Sequence, residues 1–394
     1  MTIKRKLYLV TDLYFPFRGG QEESVRALAA AMRLEFDVTI IAHSCNGSYL
    51  RSLMHQTALV QSFESFSDPA GISVVPLKPT VAGRLTMLIF VLWYLPLLRR
   101  IIPVRIFDAF YRFYQIAYHQ RLDCLIQNAD LVQCISTKYL ARLTGEVCAA
   151  RSIPLVQAPP IHFGEWGDSP AQLRAYVKAQ VLNCPTKTFK DELSKRVKSS
   201  GCMVEIVRPL SAPAHNPEAI NSLIGQSFIL FLGRKVFYKG LVETVDTFSR
   251  INSDVLMVIA GPGGAVNHSD RRIVDLGEVS DGQKTWLLKQ CLFLCVPSRS
   301  ESFGLVYIEA MREGKAVIGC TIPSVQEIVV DKNTGLLIDA GNIELLKKGM
   351  EQLIDDAEYR AMLGRTGLQR YVQYYSDEGT IKQLLAIYTR LTGV

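Results

Sequence analysis

Two glutamates eight positions apart, Glu301 and Glu309, stand in the stretch VPSRSESFGLVYIEA at 296–310. A short apolar run, LFLCV at 292–296, predicts a strand that runs into Pro297 and a polar loop. From Gly304 an apolar-periodic segment (Leu305, Val306, Ile308, Met311) predicts a helix that ends near Gly314. The start of such a helix offers free backbone N–H groups and the positive end of its dipole, and together these suit an anion such as a phosphate. Glu301 would stand before that anion site and Glu309 more than a turn inside the helix. Like charges repel, so the carboxylates are not there to hold the phosphate; they accept hydrogen bonds well from hydroxyls. The pattern fits a molecule with hydroxyls on both sides of a diphosphate, and a nucleotide sugar is such a molecule. Taken alone, the same spacing also arises from a solvated loop followed by a buried helix.

A second pair of charges has the matching sign. In SFILFLGRKVFYKG, Arg234 and Lys239 lie five residues apart just after a predicted strand end and before a helix over 241–251. Two cations at a strand-to-helix turn can clamp a diphosphate, although exposed basic residues are usually only solvated. No D-x-D pair occurs anywhere in the chain, so no metal to neutralise a leaving group is indicated.

The elements that must position these residues alternate strand and helix. KLYLVT at 6–11 predicts a buried strand, QEESVRALAAAMRL a helix with its apolar stripe at Val25, Leu28, Ala29 and Met32, and VTIIA at 38–42 the next strand. The chain thus opens as βαβ with the glycine pair Gly19 and Gly20 at the first turn, where a backbone can approach a ligand closely or simply reverse. There is no G-x-G-x-x-G and no G-x-x-x-x-G-K-S/T, which disfavours a dinucleotide fingerprint and a P-loop. Strands follow at 129–137, 153–159, 180–186 and 203–209, with helices at 107–127 and 138–150. Residues 210–226, rich in Pro, Ala, Asn and Ser, read as a connection, after which strands and helices alternate again. Helices then fill 343–354, 358–375 and 379–391.

The sequence PSRSESFGLVYIEAMREGKAVIG resembles the retaining glycosyltransferases of family 4, which share its E-x7-E spacing and have the GT-B fold. The resemblance is dense from Phe228 onward and thinner before Ser152. It implies an α/β chain of two Rossmann-like parallel-sheet domains facing across a cleft: 1–209 on the acceptor side, joined by a C-terminal helix, 376–394, that crosses back to it, and 210–375 on the donor side. It implies a metal-independent, retaining transfer of a sugar from a nucleoside diphosphate to a glycan or lipid-linked acceptor, with no cofactor. Arg234 and Lys239, matching FLGR-x4-KG, would bind the donor diphosphate, and Gly20 would lie beneath it. The amides of Gly304 and Leu305 would join them, Glu309 would take the ribose, and Glu301 with the Phe303 amide would orient the sugar. Val279, Asp281 and Lys284 would surround the base. His162 would be the donor-facing histidine, although PPIHFGEW departs from the commoner pattern. Pro262 stands where the family more often has an aspartate. Rival readings are a GT-B hydrolase or epimerase of nucleotide sugars and an inactive binding subunit of a membrane assembly.

At 394 residues, 48% hydrophobic and 21% charged, the chain suits two globular domains. Nine cysteines without C-x2-C spacing suit reduced thiols in the cytoplasm rather than a structural zinc, and Cys291 and Cys295 fit small buried core positions. Neither a signal peptide nor a membrane anchor is expected at the start, because its apolar run breaks at Asp12. A formal charge of +7 favours anionic partners, and no nucleic acid is expected among them. TMLIFVLWYLPLLRRII at 86–102 is too short to span a bilayer and contains Pro96. Bracketed by Arg84, Arg99, Arg100 and Arg105, it fits either an interfacial helix on an anionic membrane or an internal helix.

Overall fold

The runs FILFL and AVIGC contain no alternating polar positions, a pattern suited to strands covered on both faces. The structure, a computed structural model, describes residues 4–16, 19–45, 63–84, 86, 104–163, 167–168, 170–197, 201–211 and 215–393. It places Phe228–Leu232 and Ala316–Cys320 as strands with every residue buried. The chain divides into two compact units, one of 1–210 with 381–394 and the other of 211–380. Both are α/β with predominantly parallel sheets.

The first unit holds β1 (Arg5–Leu13), β2 (Phe36–Ser44), β3 (Phe66–Ser67), β4 (Ser73–Pro76), β5 (Leu131–Ile135), β6 (Leu155–Gln157), β7 (Val181–Cys184) and β8 (Met203–Ile206). They lie in the order β3-β4-β2-β1-β5-β6-β7-β8, parallel throughout except where β3 meets β4. Leu7 of β1 is flanked by Val38 on one side and Leu131 on the other. Helix Gly20–Met32 connects β1 to β2 and buries Val25, Leu28, Ala29 and Met32, the stripe its period predicts. The short strands β3 and β4 have no such signal, since two and four residues are too few to carry a period. The apolar segment 86–102 falls, apart from Thr86, outside the described residues, and so do Arg99 and Arg100. Among the described residues no helix is long and apolar enough to cross a membrane.

Helix Asp377–Thr392 starts in the second unit and ends in the first. Its start is held in the second unit because Asp377 Oδ1 accepts the Ser211 N–H at 3.2 Å. Further on, Leu384, Ile387 and Tyr388 enter the first unit's core, where the Tyr388 ring meets Phe36 edge-on at 5.7 Å and its hydroxyl donates to Gln133.

The second unit is a parallel sheet of β9 (Phe228–Leu232), β10 (Leu256–Ala260), β11 (Ile273–Asp275), β12 (Phe293–Cys295), β13 (Ala316–Cys320) and β14 (Leu336–Ile338), ordered β11-β10-β9-β12-β13-β14. Cys291 and Cys295 are buried in its core, and burial pushes the Cys291 thiol up to about 12, so both act as small apolar side chains. The chain builds outward from β9 to β11, then returns to the other flank of β9 for β12. At such a reversal the loops leaving the two carboxyl ends diverge and open a crevice.

Candidate active site

The reversal between β9 and β12 puts two loops side by side, and they carry Arg234, Lys239 and Glu301. Gly240, at the end of the turn after β9, has φ +73, and a Cβ there would lie 2.5 Å from the Pro297 carbonyl oxygen, so only glycine lets the β9 loop pass this close to the β12 loop. The contact is laced by the Tyr238 carbonyl, which accepts the Arg299 N–H at 2.7 Å and the Ser298 hydroxyl at 3.3 Å. Ser324 Oγ donates to the Glu301 carbonyl at 2.8 Å, which anchors the far end of the β12 loop.

This lacing places Lys239 Nζ 2.5 Å from Glu301 Oε1, with the two side chains only 14% and 8% exposed. Helix Leu305–Arg312 begins directly afterwards. Its cap is Gly304 at φ +107, where a Cβ would come within 2.7 Å of the Tyr307 ring. Tyr307 in turn donates its hydroxyl to the Val296 carbonyl at 2.6 Å, tying the first helical turn back to the end of β12. Phe303 is buried, and its ring lies 6.2 Å from that of Tyr375. Glu309, one turn into the helix, is 4% exposed, and its Oε1 accepts from Lys284 Nζ at 2.6 Å. Lys284 sits on helix Asp281–Gln290, whose start is fixed by a reciprocal pair: Ser280 Oγ accepts the Gln283 N–H, and the Gln283 side chain accepts the Ser280 N–H. On the same helix Asp281 Oδ2 lies 3.6 Å from His215 Nε2, and Val279 packs at the core's edge. Arg234 is exposed and donates to the Tyr238 hydroxyl at 2.8 Å.

A further ion pair supports the Arg234 loop from beneath. Lys235, 4% exposed, donates to both carboxylate oxygens of Asp275, at 2.5 and 2.7 Å. Asp275 also accepts the N–H groups of Val266 and Gly277, so the loops after β9, β10 and β11 share one anchor. Gly261 belongs to the same junction, since a Cβ there would meet the Gly233 carbonyl oxygen at 2.1 Å. Burial works to raise the pKa of Asp275, but the hydrogen bonds from Lys235, Gly277 and Val266 outweigh it and hold the carboxyl below its ordinary value. A depressed carboxyl contributes stability that is present above the unfolded value, about 3.9, and lost as pH falls through the folded one. Asp275→Asn should therefore cost about 3 kcal/mol at neutral pH, because it leaves a buried ammonium with no counter-charge. Urea unfolding checks this: the gap between wild type and variant should narrow as pH falls below about 4, and a pH-independent gap would contradict the assignment.

The structure thus gathers Arg234, Lys239, Glu301, Phe303, Gly304, Leu305 and Glu309 at one end of the second unit's sheet, with Val279, Asp281 and Lys284 on the neighbouring helix and its lead-in. Gly20 and His162 belong to the first unit. Gly20 opens helix Gly20–Met32 and is exposed, while His162 is half-buried beyond the carboxyl end of β6. The pairing of each glutamate with a lysine was not evident in the sequence: the partners are 62 and 25 residues apart, and no period links them. Lys235 and Asp275 escaped notice for the same reason, the one hint being a basic residue directly beside Arg234. Among the described residues no three His, Cys, Asp or Glu side chains are grouped to hold a metal.

Residues 216–370 match the family described as glycosyl transferases group 1. An uncharacterized glycosyltransferase of Methanocaldococcus jannaschii is 28% identical over 224 residues, 55% of this chain and 62% of that protein. The O-antigen chain mannosyltransferase C of Escherichia coli is 27% identical over 177 residues, 43% of this chain and 48% of the relative. The matched stretches therefore span under two thirds of these relatives' lengths. Among solved structures, Anabaena HepE in complex with UDP-glucose superposes with a TM-score of 0.72 at 14% identity, over 98% of this chain and 99% of that one. Sucrose-phosphate synthase from Thermosynechococcus elongatus gives 0.70 at 15% identity, over 99% and 100%. At such identities the likeness speaks for the fold, and that fold is GT-B.

Proposed function

We propose, for a chain whose residues 216–370 belong to the group 1 glycosyl transferases within a GT-B fold, that it is a retaining, metal-independent glycosyltransferase. It moves a sugar from a nucleoside diphosphate to an acceptor. The observation that carries this reading is the placement of two lysine-paired carboxylates on either side of the Gly304 helix start. Hydroxyl-accepting groups then flank an anion-accepting one, the order of chemistry along a nucleotide sugar.

In this reading Glu309 takes the ribose hydroxyls, Val279 and Asp281 border the base, and Lys284 stands beside them with its ammonium on Glu309. The Gly304 and Leu305 amides hold the diphosphate with Arg234 and Lys239. Glu301 and the Phe303 amide orient the sugar. Lys239 exchanges its carboxylate partner for phosphate when donor binds, so a cation that neutralises Glu301 in the empty site is ready for the leaving group. The bond from the anomeric carbon to the diphosphate oxygen breaks as the acceptor hydroxyl attacks from the same face. The acceptor's proton passes to the departing phosphate oxygen. Among the described residues no side chain stands out as a covalent nucleophile, which favours this front-face route over double displacement. An O-antigen chain is what the Escherichia coli relative's name specifies, and it supports a glycan or lipid-linked acceptor.

Transfer assays with and without EDTA test the metal-free reading. The expected result is equal rates and a product whose anomeric configuration matches the donor's. Activity that vanishes with chelator and returns with magnesium or manganese, or an inverted product, overturns it.

A further inference from the structure

We infer that Lys284 is the positioning residue of Glu309, acting on nucleotide binding through that carboxylate rather than by touching the base. The inference rests on the donor-site reading above. Its first ground is burial. Glu309 is 4% exposed inside helix Leu305–Arg312, and a carboxylate so placed is costly to keep ionised unless a counter-charge is at hand. A second carboxylate lies nearby: Asp377, whose acidity is weakened chiefly by burial, is weakened further by the charge on Glu309. The Lys284 ammonium, 2.6 Å from Glu309 Oε1, supplies that counter-charge.

The second ground is geometry. Lys284 reaches Oε1 from another helix, Asp281–Gln290, whose first turn is locked by the Ser280 and Gln283 bonds and whose underside is buried at Thr285, Leu287 and Leu288. The ammonium is therefore presented from a rigid support. A carboxylate held through one oxygen cannot rotate freely about its terminal torsion, so the second oxygen has a set direction toward a hydroxyl donor. The Lys284 side chain is itself 22% exposed, so solvent can take the ammonium if Glu309 is removed. Loss of the lysine, by contrast, leaves a buried acid beside another acid. The dependence runs from Lys284 to Glu309.

Calorimetric titration of the full chain with UDP and GDP, each beside its 2′,3′-dideoxy counterpart, tests this. Wild type should prefer the ribose form of whichever nucleotide it binds by about a hundredfold. Lys284→Met should weaken that form about tenfold and leave the dideoxy form unchanged, with Lys284→Arg largely restoring the preference. Lys284→Met added to Glu309→Gln should cost nothing further, because both act on one contact. If Lys284→Met weakens ribose and dideoxy forms alike, or its penalty multiplies with that of Glu309→Gln, the lysine acts elsewhere and the inference is wrong while the donor site stands. If wild type binds neither UDP nor GDP, the nucleotide reading itself fails, and this inference with it.

Discussion

Lys239→Ala should lower kcat by about 100- to 1000-fold, the effect of removing one preorganised donor from a developing negative charge. The expected size follows from two losses at one position. In the proposed reaction the departing diphosphate loses a cation, and the Glu301 side chain, 8% exposed, loses the ammonium that neutralises it at 2.5 Å. Lys239→Arg should recover only part of the rate, because a planar guanidinium cannot occupy the same point against both a carboxylate and a phosphate. Arg234→Ala should lose less, since Arg234 is exposed and its hydrogen bond goes to the Tyr238 hydroxyl rather than to a buried charge. Steady-state kinetics on the three variants decides the matter. Equal losses for Arg234→Ala and Lys239→Ala would remove the special role of the Glu301 pair.

Opposite kinetic signatures are expected from the two glutamates. Glu309→Ala should raise KM for the donor about thirtyfold with kcat within about threefold of wild type, because a ribose contact is made equally in ground and transition states. Glu301→Ala should lower kcat about a hundredfold with little change in KM, since the sugar ring moves relative to its leaving group only during reaction. Donor-saturation curves for both variants separate the outcomes. Damage confined to KM in both would return Glu301 to a binding role.

Much of this site was legible because its parts are local. Glu301, Gly304 and Glu309 lie on one strand-loop-helix unit, and both a helical period and a glycine stop can be read within fifteen residues. Arg234 and Lys239 are likewise bounded by a buried strand and a helix start. The chain's division was legible for a similar reason, in the polar, proline-rich connection after the eighth strand. What could not be read was pairing across the sheet. Lys239 with Glu301, Lys284 with Glu309 and Lys235 with Asp275 are brought together by the strand order, which places β9 between β10 and β12. No spacing rule spans such separations, because each pair meets only after a crossover has packed. The short strands Phe66–Ser67 and Ser73–Pro76 were equally silent, being shorter than the pattern that would reveal them.

We expect a nucleotide sugar to bind where the loops after β9 and β12 meet. Isothermal titration of the protein with UDP- and GDP-sugars, in wild type and in the Arg234→Ala/Lys239→Ala double variant, tests it most directly. At least one donor should bind wild type with a dissociation constant in the micromolar range, about −8 kcal/mol at 1 μM, and the double variant should lose at least a hundredfold in affinity. Tight binding that survives both substitutions, or no binding by any donor to the wild-type protein, would contradict it.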